Sequence, residues 1–188
     1  MFDTEETAAP ALSPTDFERL RGTLNSSGPA AAVDELCRSL REAGDYNALF
    51  YAMLMKKRLE LGVSPFPTGA ASELPPSTHE AYEQAIREAG RTVGRLFLDQ
   101  GDVRRAFFFF NMLGEIEPVK QYIENYRHQP DQDCQPLVEI ALYQGVHPAK
   151  GFQLVLERYG ICNAITTYSG QDFSRNPEAR QRCIAMLV

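Results

Sequence analysis

The stretch VRRAFFFFNMLGEIEP, residues 103–118, contains four consecutive phenylalanines at positions 107–110. Successive residues of an α-helix are about 100° apart, so four neighbours cannot all face one core. On such a helix Phe110 shares the central apolar face with Ala106, and two of the other phenylalanines flank that face. Phe108 falls on the opposite side. An apolar arc of this width is typical of a helix covered by neighbours on two sides, as in a stacked helical array.

Phe108 therefore needs a separate explanation. We expect a flanking element, such as the loop at 62–76, to cover it, because large exposed aromatic side chains are uncommon on soluble monomers. The alternative is that Phe108 stays exposed and serves as a contact point for a partner.

The bulk composition excludes several classes of protein. The chain has 188 residues, of which 44% are hydrophobic and 23% charged, and its formal net charge is −6. An acidic chain is a poor match for nucleic acid, because phosphate binding needs a basic face. No apolar run approaches the length of a membrane span, and the first residues lack the basic and apolar regions of a secretory signal. We expect a cytoplasmic protein with no membrane or nucleic-acid partner.

Helical periodicity extends along nearly the whole chain. Apolar residues recur at spacings of three and four, and β-branched residues never alternate cleanly, which predicts an all-α protein of about eight to ten antiparallel helices. Residues 1–12 are expected to form a disordered tail. Residues 13–188 are expected to form a single helical-repeat domain, interrupted by a loop at 62–76 whose prolines and glycines forbid a helix.

Residues 87–120 place small residues, aromatic residues and a closing proline at the spacings of a helix hairpin. These positions are Gly94, Phe97, Gly101, Ala106, Phe110, Leu113 and Pro118. With this pattern, the segment resembles a tetratricopeptide repeat (TPR). Weaker matches to the same repeat surround Gly44 and Gly145. The resemblance implies a TPR-like solenoid that acts as a non-enzymatic scaffold and binds a protein or peptide partner.

The same resemblance implies a ligand groove, since in TPR proteins the ligand-facing residues project from the first helix of each hairpin. Carried over residue by residue, the groove candidates are Glu88, Arg91, Arg95 and Asp99 in the clear repeat, with Asp34 and Arg38 in the weaker first one. The two arginines of the clear repeat lie one helical turn apart, a spacing that suits a carboxylate. Alternatively, these arginines pair with the neighbouring acidic residues on a solvated face.

Chemistry-bearing residues are scattered rather than clustered. The four cysteines lie far apart, and the three histidines have no Cys or carboxylate at ligand spacing, so we expect no metal, no cofactor and no catalytic residue. The cysteines are expected to be reduced and mostly buried. Cys162, beside Asn163, is the only position at which we would look for a nucleophile, and no partner base is identifiable. Two alternatives to a binding module remain open: a helical-bundle enzyme or small-molecule sensor, and an architectural N-terminal region of a larger protein.

The last thirteen residues, 176–188, begin as a well-formed helix. Asn176 is a suitable N-cap and Pro177 suits the first helical position, yet the segment ends on apolar residues, Ile184, Met186, Leu187 and Val188. Two explanations fit this pattern. Either the protein continues beyond this point, or this helix docks on a second copy to form a homo-oligomer.

Overall fold

The computed structural model describes residues 12–67, 74–128, 132–174 and 176–188. Within these ranges every regular element is a helix and no β-strand occurs, which confirms the all-α prediction. Except for Leu12, the tail predicted at 1–12 lies outside the described residues, as does part of the loop predicted at 62–76. None of the described helices combines the length and the apolar character needed to cross a membrane.

Eight α-helices make up the described part of the chain, in agreement with the predicted number. They are α1 (Pro14–Ala43), α2 (Tyr46–Glu60), α3 (His79–Asp99), α4 (Val103–Leu113), α5 (Glu117–Asn125), α6 (Gln135–Val138), α7 (Pro148–Gly170) and α8 (Pro177–Leu187). A 3₁₀ turn, Pro76–Thr78, precedes α3, and a π-helical turn, Glu139–Tyr143, continues α6. Both α1 and α7 bend sharply at a glycine with positive φ, Gly28 and Gly160 respectively.

Two interhelical turns share one conformation. Gly44 and Gly101 end their helices with φ of 74° and 80°, in the left-handed region that glycine adopts without strain. Asp45 and Asp102 follow with nearly identical backbone angles, φ −82° and −81°, each with ψ 76°. Each aspartate accepts a 3.0 Å hydrogen bond from the backbone N–H three residues on, and so caps the next helix.

The chain divides into two compact units, residues 1–96 and 97–188, and the division falls within α3. In the first unit α1 packs against α2. The buried Arg58, at the end of α2, donates a hydrogen bond to the carbonyl of Ser64 and lies 5.9 Å from the ring centre of Tyr82 on α3. Compactness alone does not test whether the units fold separately, so the single-domain prediction for 13–188 stays a prediction.

The second unit has a continuous apolar core. Its buried members come from α4 to α8 and include Phe110, Val119, Phe152, Leu154 and Cys183. The helix α7 packs against both the π-helical turn and α8. On α8, Met186 and Leu187 pack against this core, whereas Ile184 is exposed. The predicted contact of α8 with a second copy stays a prediction.

The phenylalanine run is packed as the helical phase predicted, with one exception. Phe109 and Phe110 are buried, and Phe107 is half-buried against the core. Phe108 is 63% exposed, so the expectation that another element covers it was wrong. The reason is geometric: residues of α5 and α6 share a cluster with Phe110, on the side of α4 that Phe108 does not face.

We expect Phe110→Ala to lower the free energy of unfolding by about 3–5 kcal/mol, because it removes a fully buried aromatic ring. Phe108→Ala should lower it by less than about 1 kcal/mol, since most of that ring is already in contact with solvent. Denaturant titrations followed by far-UV circular dichroism measure both changes. Equal losses would show that the helical phase assigned to α4 is wrong.

Gly151 marks the closest approach between two elements of the second unit. A Cβ atom at this position would lie 2.7 Å from the backbone nitrogen of Leu142 in the π-helical turn. Gly151→Ala is therefore expected to destabilise the protein by about 1–3 kcal/mol through overpacking. The matched control is Gly22→Ala in α1, where nothing lies within 4 Å. This control should stabilise the protein by about 0.5–1 kcal/mol, because alanine is the better helix former. Thermal unfolding distinguishes the two, and a neutral Gly151→Ala variant would contradict the close approach.

Candidate functional site

A cavity of about 710 Å³ lies within the first unit, between α1, α2 and the first half of α3. This volume is in the range of known ligand pockets, about 300–1,000 Å³. Each helix contributes residues spaced three or four positions apart, so a single stripe from each helix faces the cavity. The site is therefore built from three helix faces rather than from loops.

The floor of the cavity is apolar. Leu49 of α2 is 1% exposed and Met53, one turn along the same helix, is half-buried. On α3, the apolar residues that line the cavity are Ala81 and Ala85. Their short side chains leave open the space that larger residues would fill.

The Gly44–Asp45 turn explains why these residues meet. It reverses the chain, so α1 and α2 run antiparallel and residues equally far from the turn lie opposite each other. Asp34 and Lys56 are one such pair, with 2.7 Å between carboxylate oxygen and amine nitrogen. The third helix is positioned by the contact of Arg58 with Tyr82.

Most of the charged side chains around the cavity are already paired. The hydrogen bond that Lys56 donates to Asp34, together with the negative charge of that carboxylate, raises the pKa of Lys56. Lys57 pairs with Glu60 of the same helix at 3.1 Å. Arg38 pairs with Glu35, which lies outside the lining. Both partners of the Asp34–Lys56 pair are exposed, so this pair contributes little to stability.

Two charges in the lining have no ion pair with any residue that the structure describes. Arg41, in the last turn of α1, forms no side-chain hydrogen bond within the described ranges. Glu88 of α3 accepts a hydrogen bond of 3.2 Å from the neutral amide of Gln84 and from no other described residue. Counting only the described residues, the cavity thus presents one unpaired cation from α1 and one unpaired anion from α3.

Cys37 is a half-buried thiol in the same lining. Burial is the main cause that raises its pKa, and the nearby carboxylate of Asp34 adds to the effect, whereas the cations Lys56 and Arg41 oppose it. Because the thiolate is the reactive form, a raised pKa makes this cysteine a weak nucleophile at neutral pH.

The structure brings together three of the six predicted groove residues. Asp34, Arg38 and Glu88 all line the cavity. Arg91, which is half-buried, and the exposed Arg95 do not line it. The remaining candidate, Asp99, belongs to the second unit and lines a separate shallow groove.

Several lining residues were missed by sequence reasoning, notably Arg41, Lys56 and Met53. The resemblance places ligand contacts on the first helix of each hairpin, which excluded the α2 residues. A signal was nevertheless present in the sequence. An antiparallel hairpin that turns at Gly44–Asp45 places position 34 opposite position 56, and extending this register identifies the α2 stripe.

Other candidate chemistry is sparse in the described part of the chain. No three His, Cys, Asp or Glu residues come together there in a metal-binding arrangement. Cys162 is exposed, contrary to the expectation of buried thiols, and the Asn163 amide donates to the carbonyl of Tyr159 at 2.7 Å. That amide is therefore engaged by its own helix. His147 accepts a 3.3 Å hydrogen bond from the backbone of Lys150 and acts as the N-cap of α7.

Comparisons of this chain with protein-family models, with curated proteins and with solved structures found no match. The TPR-like character suggested by residues 87–120 stays a prediction.

Because Cys37 lines the cavity, its alkylation can report on the site. We expect iodoacetamide to modify it slowly at neutral pH, and the rate to keep rising above pH 9.0, the value for an unperturbed thiol. Mass spectrometry of the peptide that contains residue 37 measures this rate, in a Cys162→Ser background that removes the exposed thiol. The same measurement in denaturant gives the unperturbed profile. A rate that levels off below pH 9 in the folded protein would contradict the raised pKa.

Proposed function

We propose that this protein is a non-enzymatic binding module, a TPR-like antiparallel helical array that holds a segment of a partner protein in the cavity between α1, α2 and α3. The observation that carries the proposal is the cavity itself, which combines an apolar floor with a charged rim. Apolar burial supplies affinity and rim charges supply specificity at sites of this kind.

Two observations support the TPR-like arrangement. The turns at Gly44 and Gly101 share one backbone conformation, as expected of repeated hairpins. Among the positions that carry the resemblance, Phe97, Ala106 and Phe110 are each at most 1% exposed, in keeping with the close helix packing that the pattern requires.

Binding is favoured over catalysis because the cavity lacks a convergent acid–base pair. Two of its three carboxylates, Asp34 and Glu60, are engaged by lysines, and the only thiol among its lining residues, Cys37, has a raised pKa. General acid–base chemistry needs groups whose pKa values are matched to the working pH and which face the same substrate atom.

The test is a displayed random-peptide library selected against the full chain. Peptides that occupy the cavity should bind with micromolar dissociation constants and should slow the alkylation of Cys37. Ala81→Trp, which places an indole in the cavity, is expected to weaken their binding at least tenfold. The matched control is Glu83→Trp, at an exposed position of α3 outside the lining, which should leave binding unchanged.

Two outcomes would contradict the proposal. The first is that selected peptides bind the Ala81→Trp variant as tightly as they bind the unmodified protein, which would place their site elsewhere. The second is that no peptide is selected although the protein is folded by circular dichroism.

A further inference from the structure

We infer that the segment held in this cavity is an amphipathic α-helix that carries acidic residues along one flank and basic residues along the other. The inference rests on the proposed function and names the chemical class of its partner.

A helical ligand is favoured because the cavity offers few hydrogen-bond partners for the backbone of an extended peptide. An extended peptide brings N–H and C=O groups that need hydrogen-bond partners. The lining consists of helix side chains, and most of its charged groups are engaged with one another. A helix satisfies its own backbone and presents only side chains, which pack as ridges into the grooves of the neighbouring helices.

The length of the site fits two turns of such a helix. On α1 the lining runs from Asp34 to Arg41, and on α3 from Ala81 to Glu88. Seven residues of helix span about 10 Å, or two turns. The ligand therefore presents three or four apolar residues at i, i+3, i+4 and i+7. The adaptable side chain of Met53 and the small alanines of α3 suit such a row.

The flank charges follow from the two lining residues that have no ion pair with any described residue. Arg41 projects from the α1 wall, where it attracts an acidic residue of the ligand. Glu88 projects from the α3 wall, where it attracts a basic one. The remaining ions at the rim are largely compensated within the protein, so these two charges decide the preference.

Three helix-stabilised model peptides test this pattern. All carry the same leucine row on a lactam-bridged helix of fourteen residues or so. One has acidic and basic flanks, one has two acidic flanks, and one has two basic flanks. The expected preference does not depend on the direction in which the ligand lies. Reversing the helix in the groove, with its leucine row still on the floor, exchanges the two flanks, so the mixed peptide can match both walls in one of its two directions. Fluorescence anisotropy at low salt gives the dissociation constants.

We expect the unmodified protein to prefer the mixed peptide by about three- to fivefold, the range for an exposed ion pair. Arg41→Glu makes both walls acidic and should shift the preference to the basic peptide. Glu88→Arg makes both walls basic and should shift it to the acidic peptide. Arg21→Glu, at an exposed α1 position outside the lining, is the control and should change nothing. High salt should remove the differences.

Equal affinities for the three peptides, or one rank order in all variants, would overturn the flank assignment. The helical requirement would be overturned if a proline-substituted mixed peptide, which cannot form the helix, bound equally well. Failure of this inference is distinguishable from failure of the proposed function. If extended peptides from the library protect Cys37 while no helix binds, the function stands and the inference falls. If no peptide of either kind protects Cys37, both fall.

Discussion

The left-handed conformation of Gly44, followed by the N-cap Asp45, is the constraint on which the candidate site depends. A side chain at that glycine would be strained, and the aspartate satisfies a backbone N–H that would otherwise lack a partner. Together they fix where α1 ends and where α2 begins, which sets the register between the two helices. The meeting of Asp34 with Lys56 and the apolar floor around Leu49 follow from that register. A longer turn would change this register and offset the two stripes of lining residues.

The third wall of the cavity depends on a buried cation. Arg58 is 4% exposed, and its guanidinium is compensated by the carbonyl of Ser64 and by the ring of Tyr82. Burying a charge is unfavourable unless such partners are present, so the contact with Tyr82 favours a position of α3 beside the end of α2. The result is that Ala81 and Glu88 face the same space as the α1 and α2 stripes. A contact outside the lining thus contributes to the arrangement of the helices that line the cavity.

The features that could be predicted from the sequence are those that local chemistry decides. The N-cap Asn176 and Pro177 at the first helical position of α8 were correct, because a cap needs only its own side chain and the next turn of helix. The phase of the phenylalanine run was also correct. The exposure of Phe108 was not predictable in this way, since helical phase gives the direction of a side chain but not which element lies there. The same limit explains why the cavity residues of α2, such as Lys56, were missed.

On a chain with a net charge of −6, charge pairing would let the proposed site discriminate between partners. The cavity is lined by four basic and three acidic side chains, so the site is locally less acidic than the chain as a whole. Long-range attraction therefore favours basic partners in general, but at physiological salt it fades within about 8 Å. Only contacts inside that distance distinguish one partner from another. Because Asp34, Lys56, Lys57 and Glu60 neutralise each other, Arg41 and Glu88 are the lining charges that no described residue pairs, one on α1 and one on α3. Under the proposed function, a partner of uniform charge would satisfy one of them and be repelled by the other, so the arrangement would select for mixed charge rather than for total charge.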